Sequence, residues 1–307
     1  MAIPTRVIKR RIKSIRSTRK IMKAMELVAA SKMRKATQVA LGTRPYAQAI
    51  QELTHEIRRL LVDPAHPLLI GRPFTVGSPL KTLLVVLASD RGLCGGFNSQ
   101  LIKKALEFLQ RRRQDMVSIV TVGRRAERVA RRANLPLLAS FPSIANAPSF
   151  DRARPLGTFL VEQFTSEAYD RIFLAYTDFK SALVQIPLTV QLLPIIPEAE
   201  LKPIRQESEA IEGGERDEEG EPSVFLFEPS PDQVCKELLP RMLELTLYQA
   251  LLESAASEQS ARMMAMRNAG EAAGEMLGDL TLTLNQARQA TITREISEIS
   301  AGKAAIE

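Results

Sequence analysis

Met263-Met264-Ala265-Met266-Arg267-Asn268-Ala269-Gly270-Glu271-Ala272-Ala273-Gly274-Glu275-Met276-Leu277-Gly278-Asp279-Leu280 is the stretch on which the fold turns. Its stripe, Met263, Met266, Gly270, Ala273, Leu277 and Leu280, steps by three and four and runs on to Leu284 and Ala287. Such a seven-residue repeat predicts a helix supercoiled with a left-handed twist. No proline follows Pro240, so Arg241 to Ala301 would form a helix about 90 Å long at 1.5 Å per residue. Ser230-Pro231-Asp232-Gln233 supplies a start for it: a capping serine, proline at the first helical position and glutamine three residues on. Gly270, Gly274 and Gly278 are spaced by four, and each costs roughly 1 kcal/mol of helix propensity against alanine. The expectation is that close approach of another helix demands them.

A helix of this length cannot bury its stripe in a small domain, so it needs a partner helix. The opposite end of the chain offers one. Thr5 to Leu41 holds no glycine or proline, and Ile8, Ile12, Ile15, Met22, Met25, Ala29, Met33, Ala36 and Ala40 follow the same steps. Gly42 and Pro45 stand where a bend or interruption is expected, and the pattern resumes through Ala49, Leu53, Ile57 and Leu60. The two ends should wind antiparallel, leaving Ile292, Ile296, Ile299 and Ile306 protruding as an apolar tip that needs a sleeve of other proteins.

Between the helices the period changes. Leu80–Ala88 reads as a buried strand, with Leu83–Ala88 a continuous apolar run of the kind parallel sheets use, followed by a loop from Ser89 to Asn98. Helices are expected over Ser99–Arg113, Arg124–Ala133 and Leu156–Ser166, and strands over Met116–Val122, Arg171–Tyr176 and Leu183–Leu193. This alternation predicts a small doubly wound α/β domain. The boundaries read as 1–62 for the first helix, 80–227 for the domain and 228–307 for the last helix.

Composition narrows the function. The 307 residues are 45% hydrophobic and 25% charged, with a net charge of +7. No apolar run approaches the roughly 18 residues of a membrane span, and the N-terminus lacks a signal-peptide core. A cytosolic protein, or one attached to a membrane assembly from the cytosolic side, is expected. Cys94 and Cys235 lie far apart, and His55 and His66 sit at a helix end and in a proline-rich connection. Neither zinc nor histidine acid–base chemistry is indicated, and the histidines read as exposed linker residues. Charge is unevenly placed: Met1 to Lys35 carries twelve Lys or Arg against one acid, whereas Arg205 to Pro222 carries eight acids against two arginines. That asymmetry points to charged partners, and the acidic segment reads as a mobile loop.

Four longer passages carry a resemblance. Ile21-Met22-Lys23-Ala24-Met25-Glu26-Leu27-Val28-Ala29-Ala30-Ser31-Lys32-Met33-Arg34 resembles the N-terminal helix of the gamma subunit of F-type ATP synthases. Ser89-Asp90-Arg91-Gly92-Leu93-Cys94-Gly95-Gly96-Phe97-Asn98 is similar to that family's loop after the first strand. Ala256 to Met266, and Ala287-Arg288-Gln289-Ala290-Thr291-Ile292-Thr293-Arg294-Glu295-Ile296, resemble its C-terminal helix. The resemblance implies an antiparallel coiled coil of the terminal helices with an inserted Rossmann-like α/β domain. It also implies a non-catalytic central rotor shaft that couples ion-driven rotation of a membrane c ring to ATP synthesis or hydrolysis in a hexamer of alpha and beta subunits. The implied partners are three alpha and three beta subunits, the epsilon subunit and the c ring, with no cofactor, no nucleic acid and no small-molecule substrate. The implied location is peripheral, on the cytoplasmic face of the bacterial inner membrane.

Residue roles carry over by position. Arg288 and Gln289 match a polar pair that hydrogen-bonds a beta-subunit loop, and arginine's fork suits a carboxylate there. Met25 and Lys23 match positions facing the acidic lever region of the beta subunits, and Arg262 one coupled to Met25 across the coiled coil. Lys9, Arg10, Lys20 and Lys32 make the same neighbourhood basic. Phe225, Phe227 and Glu228 stand where relatives contact the c ring or epsilon. In two places the sequence departs from the family. Lys303 follows Gly302 where alanine is usual, and Arg205–Pro222 lacks the two cysteines that plant-type relatives carry there, so thiol control is not expected.

Four other readings compete. Gly92, Gly95 and Gly96 do not form G-x-G-x-x-G and no G-K-[ST] follows, so a structural turn outweighs a dinucleotide site. Cys94 reads as a packed thiol, not a nucleophile. The basic helix could meet nucleic acid, but four tyrosines and no tryptophan give it little to stack on. A homodimeric coiled coil is the remaining reading of the stripes.

Overall fold

The computed structural model describes residues 5–60, 66–69, 79–145, 148–195 and 231–304. The acidic segment Arg205–Pro222, the residues Phe225, Phe227 and Glu228, and Ile306 lie outside the described residues. Helix α1 spans Thr5–Leu60 and helix α5 spans Pro231–Ala304. Between them lie β1 (Lys81–Leu87), α2 (Phe97–Arg111), β2 (Met116–Val122), α3 (Arg124–Arg132), β3 (Leu137–Phe141), α4 (Phe150–Thr165), β4 (Arg171–Phe179) and β5 (Gln185–Leu193). The chain divides into two compact units, one of 1–31 with 262–307 and one of 32–261. No described helix is long and apolar enough to cross a membrane.

The second unit is built on a five-stranded sheet in the order β3-β2-β1-β4-β5. β1 is parallel to β2 and β4, β2 is parallel to β3, and β5 returns antiparallel along β4. β1 reads as an unbroken Leu/Val run because both of its faces are covered. Leu83, Val85 and Leu87 point into a layer made by α4 and the start of α5, among Leu156, Leu160, Leu239, Leu243 and Leu247. Leu84 and Val86 point the other way, onto Leu101 and Ala105 of α2 and Ala126 of α3. Helices on both faces of a mostly parallel sheet make the expected doubly wound domain.

Sequence reading missed one strand and shortened one helix. β3 follows Pro136 at the sheet edge and none of its five residues is fully buried, so its short Leu137-Leu138-Ala139 run has neither the length nor the alternation to announce a strand. It is held to β2 by backbone pairing and to α3 by the Ser140 hydroxyl, which donates to Glu127 (3.0 Å). Arg131 and Ser140 together hold the Glu127 carboxyl below the usual carboxylate range. Helix α4 begins at Phe150, six residues before the expected Leu156, and carries Pro155 inside it, a residue that ordinarily marks a helix start and so conceals the earlier one.

In the first unit, α1 from Thr5 to Ser31 packs with α5 from Arg262 onward. Ile8, Ile12 and Ala29 are buried and Ile15, Met22 and Met25 half-buried, as the stripe predicts. On α5, Met266 and Ala273 are buried and Met263, Gly270, Leu277, Leu280, Leu284 and Ala287 half-buried. Arg19 lies against Gly274 and Thr43 against Gln249, so numbers fall along α1 as they rise along α5 and the helices run antiparallel. Eleven residues back from Arg19 is Ile8, and eleven forward from Gly274 is Asn285. An antiparallel pair therefore loses its cover on α5 just where α1 begins. Every residue from Arg288 to Ala301 is indeed exposed. In the second unit the same two helices meet at Thr43, whose hydroxyl donates to Gln249 Oε1 (2.6 Å). α1 runs through Gly42 and Pro45 without the expected interruption.

His66 is not the exposed linker residue expected. It is half-buried, its Nδ1 accepts the Leu68 N–H (3.3 Å), and Leu68 and Leu69 sink into the core beside it. Burial, and then the charge of Lys236, hold its pKa below the ordinary 6.5. The fold thus favours the neutral ring, while the unfolded chain protonates at the ordinary value. Stability should fall as pH drops from 6.5 into the lowered range. Denaturant midpoints measured against pH should show that fall, and His66→Gln should flatten it.

Candidate partner-binding surface

The helix pair turns its apolar seam inward and presents three features outward. The first is basic. Arg6, Lys9, Arg10, Arg11, Lys13, Arg16, Arg19, Lys20 and Lys23 of α1 are all exposed. The second is a set of apolar side chains that the seam does not use: Ile21, Leu27 and Val28 on α1 are each more than half exposed, as are Met276 and Leu282 on α5. The third is the uncovered end of α5, where Ile292, Ile296 and Ile299 stand at 43%, 59% and 73% exposure. These three lie on one helical face by their spacing of four and three. Exposed ion pairs, Arg267–Glu271 (3.2 Å) and Arg294–Glu298 (2.9 Å), add only about 0.3–0.5 kcal/mol each to helix stability.

The residues singled out from sequence, other than Phe225, Phe227 and Glu228, can be placed relative to this surface. Arg288 and Gln289 are exposed at the start of the uncovered end, with no hydrogen bond or ion pair among the described residues. Met25 is half-buried on the seam. Lys23 is exposed and bridges to Glu26 (3.0 Å). Arg262 is only 8% exposed, so it faces inward. Lys9, Arg10, Lys20 and Lys32 are exposed. Phe225, Phe227 and Glu228 lie outside the described residues.

The glycine row does not serve close packing. A Cβ on Gly270 or Gly278 would meet nothing within 4 Å, and one on Gly274 would meet only the Arg19 guanidinium at 3.3 Å. Spacing by four drifts off a stripe that averages three and a half, so Gly278 ends on the exposed side.

The loop from Ser89 to Asn98 is a structural turn. Asn98 Oδ1 accepts the Ser89 N–H (3.1 Å), and Asn98 Nδ2 donates to Ser89 Oγ (2.8 Å) and to Cys94 Sγ (3.1 Å). Asp90 Oδ1 accepts N–H bonds from Arg124 (3.1 Å) and Ser143 (3.3 Å). Leu93 and Gly95 take left-handed backbone to close the turn, and Cys94 is buried. These side chains are committed to the fold itself. Among the described residues no three His, Cys, Asp or Glu side chains converge on a metal-sized site.

Sequence reasoning missed one constellation. Ser254, Ser257 and Ser260 on α5 are 6%, 0% and 0% exposed. Their hydroxyls donate to the carbonyls of Leu87 (3.4 Å), Thr177 (3.3 Å) and Ala182 (2.6 Å). Removing such a donor strands a buried acceptor, at roughly 1–3 kcal/mol each. The available signal was the spacing of three small polar residues on an otherwise buried helix.

The fold and sequence compare with known proteins as follows. A family described as ATP synthase matches residues 4–306. The ATP synthase gamma chain of Pelotomaculum thermopropionicum is 40% identical over 302 residues, covering 98% of this chain and 99% of that one. That of Heliobacterium modesticaldum is 41% identical, covering 98% of each. Among solved structures, a chain of the central stalk and c ring of Tetrahymena thermophila mitochondrial ATP synthase aligns at TM-score 0.56 and 27% identity, over 81% of this chain and 99% of that one. A chain of the Euglena gracilis mitochondrial ATP synthase assembly of OSCP, F1 and c ring gives TM-score 0.63 at 18% identity, covering 98% and 94%, and speaks to fold alone.

Since open space surrounds Gly278, Gly278→Ala should stabilise the isolated chain by roughly 1 kcal/mol through helix propensity. Thermal unfolding of the purified chain reads this as a raised midpoint. An unchanged or lowered one would mean the helix there depends on glycine.

Proposed function

The chain belongs to the gamma-chain family of ATP synthases, and on that premise we propose that it is the central rotor shaft of such an enzyme, carrying no catalytic site of its own. The observation that carries this reading is the end of α5: fourteen exposed residues from Arg288 to Ala301, with an isoleucine row on the stretch that runs past the start of the basic partner helix. An apolar helix end held in water has a use only inside a sleeve. A hexamer of three alpha and three beta subunits provides it, and the basic face of α1 complements an acidic lever on the beta subunits.

The mechanism follows from shape. A shaft whose sides differ in charge and apolar surface binds each conformation of a surrounding subunit with a different face. Rotation therefore shifts each beta site among its states in turn. In this reading Arg288 and Gln289 bond a beta loop, Met25 and Lys23 meet the lever, and Arg262 couples the lever to the coil. Residues 1–62 and 228–307 make the shaft and 80–227 the foot. Phe225, Phe227 and Glu228 meet the c ring or epsilon. The subunit is peripheral, on the cytoplasmic face of the bacterial membrane.

Co-expression with the alpha and beta subunits of the same organism tests the reading. A complex with one copy of this chain per three alpha and three beta, hydrolysing ATP only in its presence, is the expected result. Purification of the chain alone or as a homodimer, without effect on hydrolysis, would overturn it. Arg288→Ala and Gln289→Ala should lower proton pumping per ATP while changing the isolated chain's stability by no more than about 0.5 kcal/mol. A large loss of thermal stability would count against a partner-facing role.

A further inference from the structure

We infer that Ser254, Ser257 and Ser260 are positioning residues that lock the rotational register of α5 against the α/β sheet, so that torque passes without slip; this rests on the shaft reading above. The evidence begins with what a hydroxyl in a helix does by default. It turns back to the carbonyl four residues earlier, as Thr246 does to Met242 (2.9 Å), Thr281 to Leu277 (2.7 Å), Thr283 to Asp279 (2.9 Å) and Thr291 to Ala287 (2.9 Å) on this same helix. The three serines instead reach outward to backbone of other elements.

Their acceptors are not arbitrary. Pairing between β1 and β4 ends at Val86 with Ala175. Leu87 and Thr177, which receive Ser254 and Ser257, lie just beyond that last pair. The serines therefore bond the two strands at the end of their mutual pairing. Ser260 then takes Ala182 in the turn between β4 and β5, where Gln185 Nε2 also donates to Ala182 O (2.9 Å). Ser260 immediately precedes Ala261, the last residue of this unit, so the row occupies the turns by which α5 leaves it.

Apolar packing resists separation but is indifferent to direction, so a helix can roll on a greasy face. Hydrogen bonds are directional. Residues spaced by three step about 60° round a helix and about 4.5 Å along it. The three bonds thus leave α5 at three azimuths, and neither a roll nor a slide keeps all of them.

The test uses the assembled membrane enzyme carrying S254A/S257A/S260A, with ATP hydrolysis and ATP-driven proton pumping measured on the same inverted vesicles. The expected result is normal subunit stoichiometry, near-normal hydrolysis, and a several-fold loss of protons pumped per ATP. Ser260→Ala alone, removing the shortest bond, should give a smaller loss, and Ser260→Thr, which keeps the hydroxyl, should restore the ratio. If the triple variant does not assemble, the comparison of S260A with S260T decides. An unchanged ratio in any assembled alanine variant would overturn the lock, as would equal losses in S260A and S260T. Failure of the unaltered chain to assemble with its partners would instead strike the shaft reading.

Discussion

The structure depends on one constraint: a helix with an apolar stripe many turns long has to bury that stripe against something of equal length. No small domain offers such a surface, and within this chain only the other terminal helix does. Burying each methylene is worth about 0.8 kcal/mol, so matched stripes favour pairing strongly over two separate helices. The antiparallel direction then follows from chain order, because both helices adjoin the same α/β domain. The inserted domain does not have to supply the seam; it supplies a sheet against which α5 is fixed.

Packing and polar bonding divide the labour. The seam of Ile8, Ile12, Ala29, Met266 and Ala273 holds the helices together without strongly specifying their angular setting. The core beneath α5, with Leu239, Leu243, Leu247 and Leu251, likewise secures contact. Specific setting comes from polar atoms: Thr43 on Gln249 within the helix pair, and the serine row on the ends of β1 and β4. Stiffness and registration in this fold have separate chemical sources.

What could be read from the sequence follows the range of the interactions concerned. The stripes were legible because helix periodicity is local, and burial residue by residue agrees with them. β1 was legible as an unbroken Leu/Val run. β3 was not, since an edge strand of half-exposed residues beside Pro136 has no pattern of its own. The glycine row was read as a packing device, but only the neighbours around Gly270 and Gly278 reveal that nothing fills the space. The serine row was invisible for a related reason: a serine's partner is set by tertiary placement, and the sequence does not say whether its hydroxyl turns back or reaches out. Among the surface residues, Arg288 and Gln289 could be picked out only through family likeness. Their exposure, and the absence of a hydrogen bond or ion pair to any described residue, are what the structure adds.

The uncovered end of α5 bears on the life of the chain before assembly. An unpartnered copy displays Ile292, Ile296 and Ile299 to water on turns that no described residue covers. Such turns open at low free energy, exchange their amide hydrogens quickly and admit proteases. The same isoleucines invite chaperones and self-association. A sleeve that covers these isoleucines removes that exposure, so the free and the assembled chain differ in how much apolar surface this end shows to water.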